Sequence, residues 1–204
     1  ALADAGVTTA FGLPGVHNLP FWRDLDDDDT HPTGIGVITV RHEQTAAYAA
    51  DGLARATGGL GVALVTSGPG AANTLAAFGE AAASGVPLLV IASDGPEGLR
   101  GRDRVRGLLH ESPDQGAWFA PLAKAVLQPR TPEAAVDAVA QAIVTAMSHP
   151  RGPVFLGVPS DVLRTDAPAA PEPRVTAPPT PDADVTAAVD LLQRASSDHH
   201  VASG

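Results

Sequence analysis

Short apolar runs alternate with alanine-rich amphipathic segments along the first 165 residues of the chain. The apolar runs predict buried strands at 7–11, 35–40, 61–65, 86–92, 125–127 and 153–158. Residues 1–5 are expected to be the tail of a helix. Further helix-forming patterns lie between several of the strands, at 44–57, from the 66–73 turn to about 83, and at 131–148. Strands and helices that alternate at this spacing predict an α/β fold, with a doubly wound, six-stranded parallel sheet and helices on both faces.

The pattern changes near residue 160, where Pro and Ala begin to dominate and apolar periodicity is lost. We therefore expect a domain at 1–165, followed by an extended Pro/Ala linker at 166–181. A helical pattern resumes at Asp182, and residues 182–204 are expected to be the truncated start of a central domain.

Composition narrows the range of functions. Cysteine is absent, which excludes a disulfide framework and is compatible with a cytoplasmic location. The formal net charge of -10 argues against a nucleic-acid partner. No apolar run approaches the ~20 residues of a membrane span, so no membrane partner is expected.

Glu43 lies where the predicted strand 35–40 meets the helix 44–57. Such junctions are where α/β sheets usually carry their chemistry. The helix is mostly alanine and offers few polar neighbours, so this carboxyl group can hold or pass a proton near neutral pH. The alternative is a surface glutamate that stabilises a helix N-terminus by about 0.3–1 kcal/mol.

The turn Gly68-Pro-Gly-Ala-Ala-Asn73 occupies the place of a dinucleotide-binding fingerprint, after a strand and before a helix. Asn73 replaces the last glycine of that fingerprint and Pro69 removes a backbone donor, so a Rossmann module is an alternative with weak support. Ala46 stands where a zinc-binding HExxH helix needs its second histidine, and no metal site is predicted.

Four stretches occur in one order and at one spacing: Phe11–His17, Arg41–Arg55, Thr66–Asn73 and Arg151–Asp161. Together they resemble the N-terminal pyrimidine-binding domain of thiamine-diphosphate enzymes of the acetolactate synthase and 2-oxo acid decarboxylase group. The resemblance covers residues 1 to about 165. Within this group, Leu109–Gln115 is most similar to guanidino-oxopentanoate decarboxylases.

The resemblance implies roles for individual residues. Glu43 matches the catalytic glutamate that hydrogen-bonds the aminopyrimidine of the cofactor. The implied cofactor-binding residues are Pro14, Gly15, Val16, Thr66, Pro69 and Asn73. The implied substrate-facing residues are His17 and His110.

The resemblance also implies thiamine diphosphate with a divalent metal, magnesium, held mainly by the diphosphate-binding domain of a second subunit. The family's Gly-Asp-Gly metal segment has no match in this chain, so the chain alone is expected to be inactive. A homo-oligomer and a small 2-oxo acid substrate are implied, and FAD in the parent protein is left open.

His110 and Leu109 stand where typical acetolactate synthases carry glutamine and phenylalanine. This difference favours a decarboxylase or another carboligase, with a fragment of the acetolactate synthase catalytic subunit as the alternative. A noncatalytic interaction domain derived from the same fold is a further alternative.

Overall fold

A computed structural model describes residues 1–22, 34–99, 107, 109–165 and 182–198. Within them, six strands form one parallel sheet: β1 Thr9–Gly12, β2 Gly36–Thr39, β3 Gly61–Val65, β4 Leu88–Asp94, β5 Ala125–Leu127 and β6 Val154–Pro159. Their order in the sheet is β2-β1-β3-β4-β6-β5.

The α-helices of the described residues connect or follow these strands. They are α1 Glu43–Thr57, α2 Pro69–Ala72, α3 Leu75–Ser84, α4 Pro132–Met147 and α5 Asp182–Asp198. None of these helices combines the length and the apolar character needed to cross a membrane.

Local sequence explains where α1 begins and ends. His42 is extended, and its ring Nδ1 accepts a 3.2 Å hydrogen bond from the Gln44 amide at the helix N-terminus. Gly58 has a φ of 72° and donates its amide to Ala54 O at the other end, a conformation that favours glycine. These caps place Glu43 in the first turn of α1.

The sheet is covered on both faces because alternate residues of each strand point in opposite directions. On β3, Val62 and Leu64 belong to the core cluster that includes Ile143 of α4. Ala63 and Val65 belong to the other cluster, which contains the buried alanines of α1 and α3. The prediction of a doubly wound sheet with helices on both faces is confirmed.

Two predicted helices differ from the structure. The helix expected from the 66–73 turn to residue 83 is interrupted at Asn73–Thr74, between α2 and α3. The Thr74 hydroxyl donates to Ala71 O at 2.7 Å, so the side chain bonds the preceding helical turn. Residues 1–5, expected to end a helix, form only a turn that closes at Gly6, which has a φ of 80°. The proposed linker at 166–181 lies outside the described residues.

Sheet topology determines where a ligand can bind. The chain passes from β1 outward to β2 and then returns to β3 on the other side of β1, so β1 and β3 flank a switch point. Gly12 is in register with Thr39 on β2 and with Leu64 on β3. The segments that follow these three strands therefore emerge side by side at one edge of the sheet.

Candidate active site

The turns after β1 and β3 touch at this edge. A Cβ atom on Gly15 would lie 2.8 Å from Thr66 Cβ, so only glycine fits without a shift. The turn after β1 is held by buried Asn18, whose Oδ1 accepts from Gly15 N at 2.6 Å and whose Nδ2 donates to Leu13 O at 3.1 Å. Exposed Pro14 and Val16 flank Gly15 on the same turn.

Glu43 faces this junction from the start of α1 and is 9% exposed. Asn73 Nδ2 donates to Glu43 Oε2 at 3.0 Å. A Cβ atom on Gly70 would lie 3.2 Å from Glu43 Oε1, so the β3 turn approaches the second oxygen closely. Among the described residues, no hydrogen bond reaches Oε1.

Thr66 brings an unpaired hydroxyl group to the same place. The residue is 7% exposed, and its Oγ1 has no hydrogen-bond partner within the described part of the chain. A Cβ atom on Gly70 would overlap Thr66 Cγ2 at 2.6 Å, which makes Gly70 part of a narrow cradle. Buried polar atoms without partners are uncommon in native proteins, and a bound ligand is one way to satisfy them.

Pro69 is the first residue of the short helix α2, and Asn73 follows its last residue. Both residues are exposed. The structure therefore gathers Glu43, Gly15, Thr66, Pro69 and Asn73 around one small region. These are five of the positions for which the sequence predicted a catalytic or cofactor-binding role, and their roles stay predictions.

His17 and His110 form a second group beside the first. Their ring centroids are 5.8 Å apart with an interplanar angle of 71°. His17 Nδ1 shares a 2.8 Å hydrogen bond with Ser67 Oγ, which lies next to Thr66 in the chain. Burial lowers the pKa of His17, and the charges of His110 and Arg164 lower it further. Both effects favour the neutral form of His17 over the charged form.

A cavity of about 370 Å³ opens next to this histidine pair. Its lining combines the two imidazoles and Arg164 with the carboxylates of Asp94 and Asp114. The cavity thus carries groups of both charges together with two imidazole rings. Among the described residues, no cluster of three or more His, Asp or Glu has a geometry that could hold a metal ion.

Three residues that sequence analysis did not single out hold this site together. They are Asn18, Ser67 and Gln115. Ser67 lies inside the Thr66–Asn73 motif, so its place in the site could have been inferred. Gln115 bonds a residue 47 positions away, and no local pattern signals such a contact.

Comparisons with known proteins agree with this geometry. A family described as "Thiamine pyrophosphate enzyme, N-terminal TPP binding domain" matches residues 1–118. The chain belongs to this family. The membership confirms the predicted family and leaves no support for the dinucleotide-binding alternative.

The individual relatives are longer than this chain. It is 41% identical to the "Probable 2-ketoarginine decarboxylase AruI" of Pseudomonas aeruginosa, over 79% of this chain and 28% of that protein. It is 37% identical to the "Probable acetolactate synthase large subunit" of Methanocaldococcus jannaschii, over 79% of this chain and 26% of that protein. The chain spans roughly a quarter to a third of the length of such relatives.

A solved structure shares the fold. The thiamine diphosphate-dependent 4-hydroxybenzoylformate decarboxylase of Rhodococcus jostii RHA1 superposes with a TM-score of 0.72 and 28% identity. The match covers 82% of this chain and 30% of that one. The family's cofactor fits the residues present here, because an open carboxyl oxygen and an unpaired hydroxyl lie together in a cradle lined by glycine.

Proposed function

We propose that this chain is the pyrimidine-binding half-site of a thiamine-diphosphate-dependent enzyme that acts on a 2-oxo acid. One observation carries the proposal: Glu43 has one carboxyl oxygen bonded to Asn73, while the other is open beside Gly70. That arrangement suits a carboxyl group that must present one oxygen in a fixed direction. Thr66 and the turn at Pro14, Gly15 and Val16 would line the space for the aminopyrimidine.

When bound, thiamine diphosphate supplies the carbon nucleophile and electron sink that decarboxylation of a 2-oxo acid requires. The chain's own contribution is proton handling and orientation. Glu43 Oε1 would hold a ring nitrogen of the aminopyrimidine and would hold or pass a proton there, while Asn73 holds Oε2 so that the carboxyl group does not rotate. Burial limits the access of water to Glu43 and strengthens this hydrogen bond.

His17 and His110 would face the substrate. A neutral His17 can accept a proton, and the Ser67 hydroxyl holds its ring orientation. The resemblance to the relative named as a 2-ketoarginine decarboxylase supports a guanidino 2-oxo acid as the substrate. Carboligation by an acetolactate synthase catalytic subunit is the second candidate, supported by the similarity to proteins with that name.

The surroundings of the site favour a partner surface. Val16 and Leu109 are 62% and 57% exposed, although both are large apolar side chains close to the proposed site. We propose that the diphosphate-binding domain of a second subunit covers these two side chains in a homo-oligomer. That domain would also hold magnesium and the cofactor's diphosphate. We further propose a cytoplasmic location for the parent protein. Whether the parent protein binds FAD would be tested by its absorption spectrum, in which a bound flavin is visible.

The experiment that tests the proposal replaces Glu43 in the full-length protein. Glu43→Gln keeps the shape and the hydrogen bond with Asn73 but cannot exchange the proton, so turnover of 2-oxo acids should be lost while the circular dichroism spectrum is retained. Glu133→Gln, in the exposed first turn of α4, is the matched control. Normal turnover by the Glu43→Gln protein would refute the role of Glu43. A panel of 2-oxo acids with and without a guanidino group would then identify the substrate.

A further inference from the structure

Gln115 is a fully buried amide at the centre of the loops that form the site. Its Oε1 accepts from the Gly68 amide at 2.6 Å, and its Nε2 donates to Ser93 O at 3.0 Å. Ser93 is the next-to-last residue of β4, and Gly68 is the residue before α2. Gln115 therefore ties the turn after β3 to the end of the neighbouring strand.

Gly68 has a conformation that requires this support. Its φ of 61° and ψ of -117° favour glycine. A Cβ atom at this position would lie 2.8 Å from both the Cβ and the carbonyl oxygen of His110. His110 itself has a φ of 60°, which is uncommon for a residue other than glycine and persists where surrounding contacts hold it. The backbone of His110 therefore rests directly on Gly68.

The same turn reaches both groups of the site. Ser67, immediately before Gly68, bonds His17. Gly70 and Asn73, two and five residues after it, approach or bond Glu43. A displacement of Gly68 would therefore change the position of the histidine pair relative to the Glu43 carboxyl group.

We propose that Gln115 is a positioning residue that holds the Gly68 turn and thereby fixes the position of the histidine pair relative to Glu43. The inference about catalysis rests on the proposed function, whereas the positioning itself is a property of the chain. A glutamine that merely satisfied buried backbone groups would affect stability but would leave the distance between His17 and His110 unchanged.

The first measurement follows the titration of His17 by NMR, with His17→Asn used to assign its signal. The charges of His110 and Arg164 both contribute to the lowered pKa of His17. The carboxylates of Asp94, Glu111 and Asp114 line the same cavity. In Gln115→Leu, we expect His110 to move away, so the repulsion falls and the His17 midpoint shifts to higher pH. Gln141→Leu, at an exposed glutamine of α4, should leave that midpoint unchanged.

The second measurement uses the full-length protein. Because a misplacement of about 1 Å can cost on the order of 10²-fold in rate, kcat/KM should fall by a similar factor in Gln115→Leu and should not change in Gln141→Leu. Gln115→Glu keeps an acceptor for the Gly68 amide but loses the donor to Ser93 when it is ionised. Its kcat/KM should lie between those of the parent and the leucine variant.

A folded Gln115→Leu protein with an unchanged His17 midpoint would overturn the positioning role. If the leucine variant does not fold, Gln115→Met, which also adds no charge, decides by the same criterion. The titration needs neither cofactor nor turnover, so its failure is distinct from failure of the proposed function, which would appear as normal turnover in Glu43→Gln.

Discussion

Asn73 Nδ2 donates a 3.0 Å hydrogen bond to Glu43 Oε2, joining the residue that follows α2 to the first residue of α1. Asn73 is exposed and Glu43 is buried, so the amide reaches inward from the rim of the site. Since an amide NH₂ group can only donate, the bond selects an unprotonated Oε2 and leaves any exchangeable proton to Oε1.

Replacing Asn73 tests whether Oε2 of Glu43 accepts the hydrogen bond while Oε1 carries the exchangeable proton. Asn73→Leu removes a hydrogen bond to an ionisable group, for which losses of about 1.5–3 kcal/mol are typical. We expect kcat/KM of the full-length protein to fall at least about tenfold, which corresponds to roughly 1.4 kcal/mol. Asn73→Asp should be worse, because it places a second carboxylate beside Glu43. Equal activity of the asparagine, leucine and aspartate forms would contradict an orienting role.

The packing of α1 on β3 makes a second prediction, about stability. A Cβ atom on Gly61 would overlap the carbonyl oxygen of Ala50, which is backbone and cannot rotate away. Gly61→Ala should therefore lower the free energy of unfolding by about 1–3 kcal/mol. Gly52→Ala is the matched control, because nothing lies within 4 Å of its Cβ position on the exposed side of α1. That substitution should raise the free energy of unfolding by about 0.5–1 kcal/mol.

Urea unfolding of the two variants measures both effects, with an unchanged slope as evidence that the unfolding transition is comparable. If Gly61→Ala raised the midpoint, as Gly52→Ala should, the close contact between Gly61 and α1 would not hold in solution.

His17 makes a third prediction, about pH. Its pKa is lowered by burial and by the charges of His110 and Arg164, so between that pKa and about 6.5 the unfolded chain binds more protons than the folded one. The free energy of unfolding should rise with pH across this window, and the stability should be lost as pH falls through the folded pKa.

His17→Asn should make the pH profile of the unfolding free energy flatter over that window. His42→Asn is the control, since His42 is exposed and asparagine also caps helices well. Urea titrations at several pH values, starting near the unperturbed histidine pKa of about 6.5 and extending downward, would measure the slopes. A His17→Asn slope equal to that of the parent chain would show that His17 does not contribute.

The local sequence was sufficient to predict those elements of the fold whose bounds depend on neighbouring residues in the chain. The strands at Gly61–Val65 and Ala125–Leu127 were predicted with their observed bounds, because each is a short apolar run between residues that favour turns. The break at Asn73–Thr74 was missed, since its cause is a side-chain hydrogen bond within an otherwise helical pattern.

The candidate site was predictable only in part. Glu43 and Thr66 could be found because they occur in motifs at the ends of predicted strands. The bond from Gly68 to Gln115 could not, because it depends on the sheet order that brings β3 beside β4 and on the path of the loop after β4. Positive φ at His110 was not predicted either, because histidine, although enriched in that conformation, adopts it in only a small share of cases.

A final prediction concerns cofactor binding by this chain alone. The described residues offer an open carboxyl oxygen and a hydroxyl for the aminopyrimidine, but no cluster that could hold a metal ion. The family's Gly-Asp-Gly metal segment is also missing from the sequence. Within the part of the chain that the structure describes, no metal site is available to neutralise a diphosphate, and the chain's net charge of -10 opposes its approach. Isothermal titration of the 204-residue chain with thiamine diphosphate should detect no micromolar binding, with or without added Mg²⁺.

The full-length protein, titrated in the same buffer, should bind the cofactor and lose that binding when EDTA removes the metal. Micromolar binding by the chain alone would contradict the assignment of the diphosphate and the metal to a partner domain.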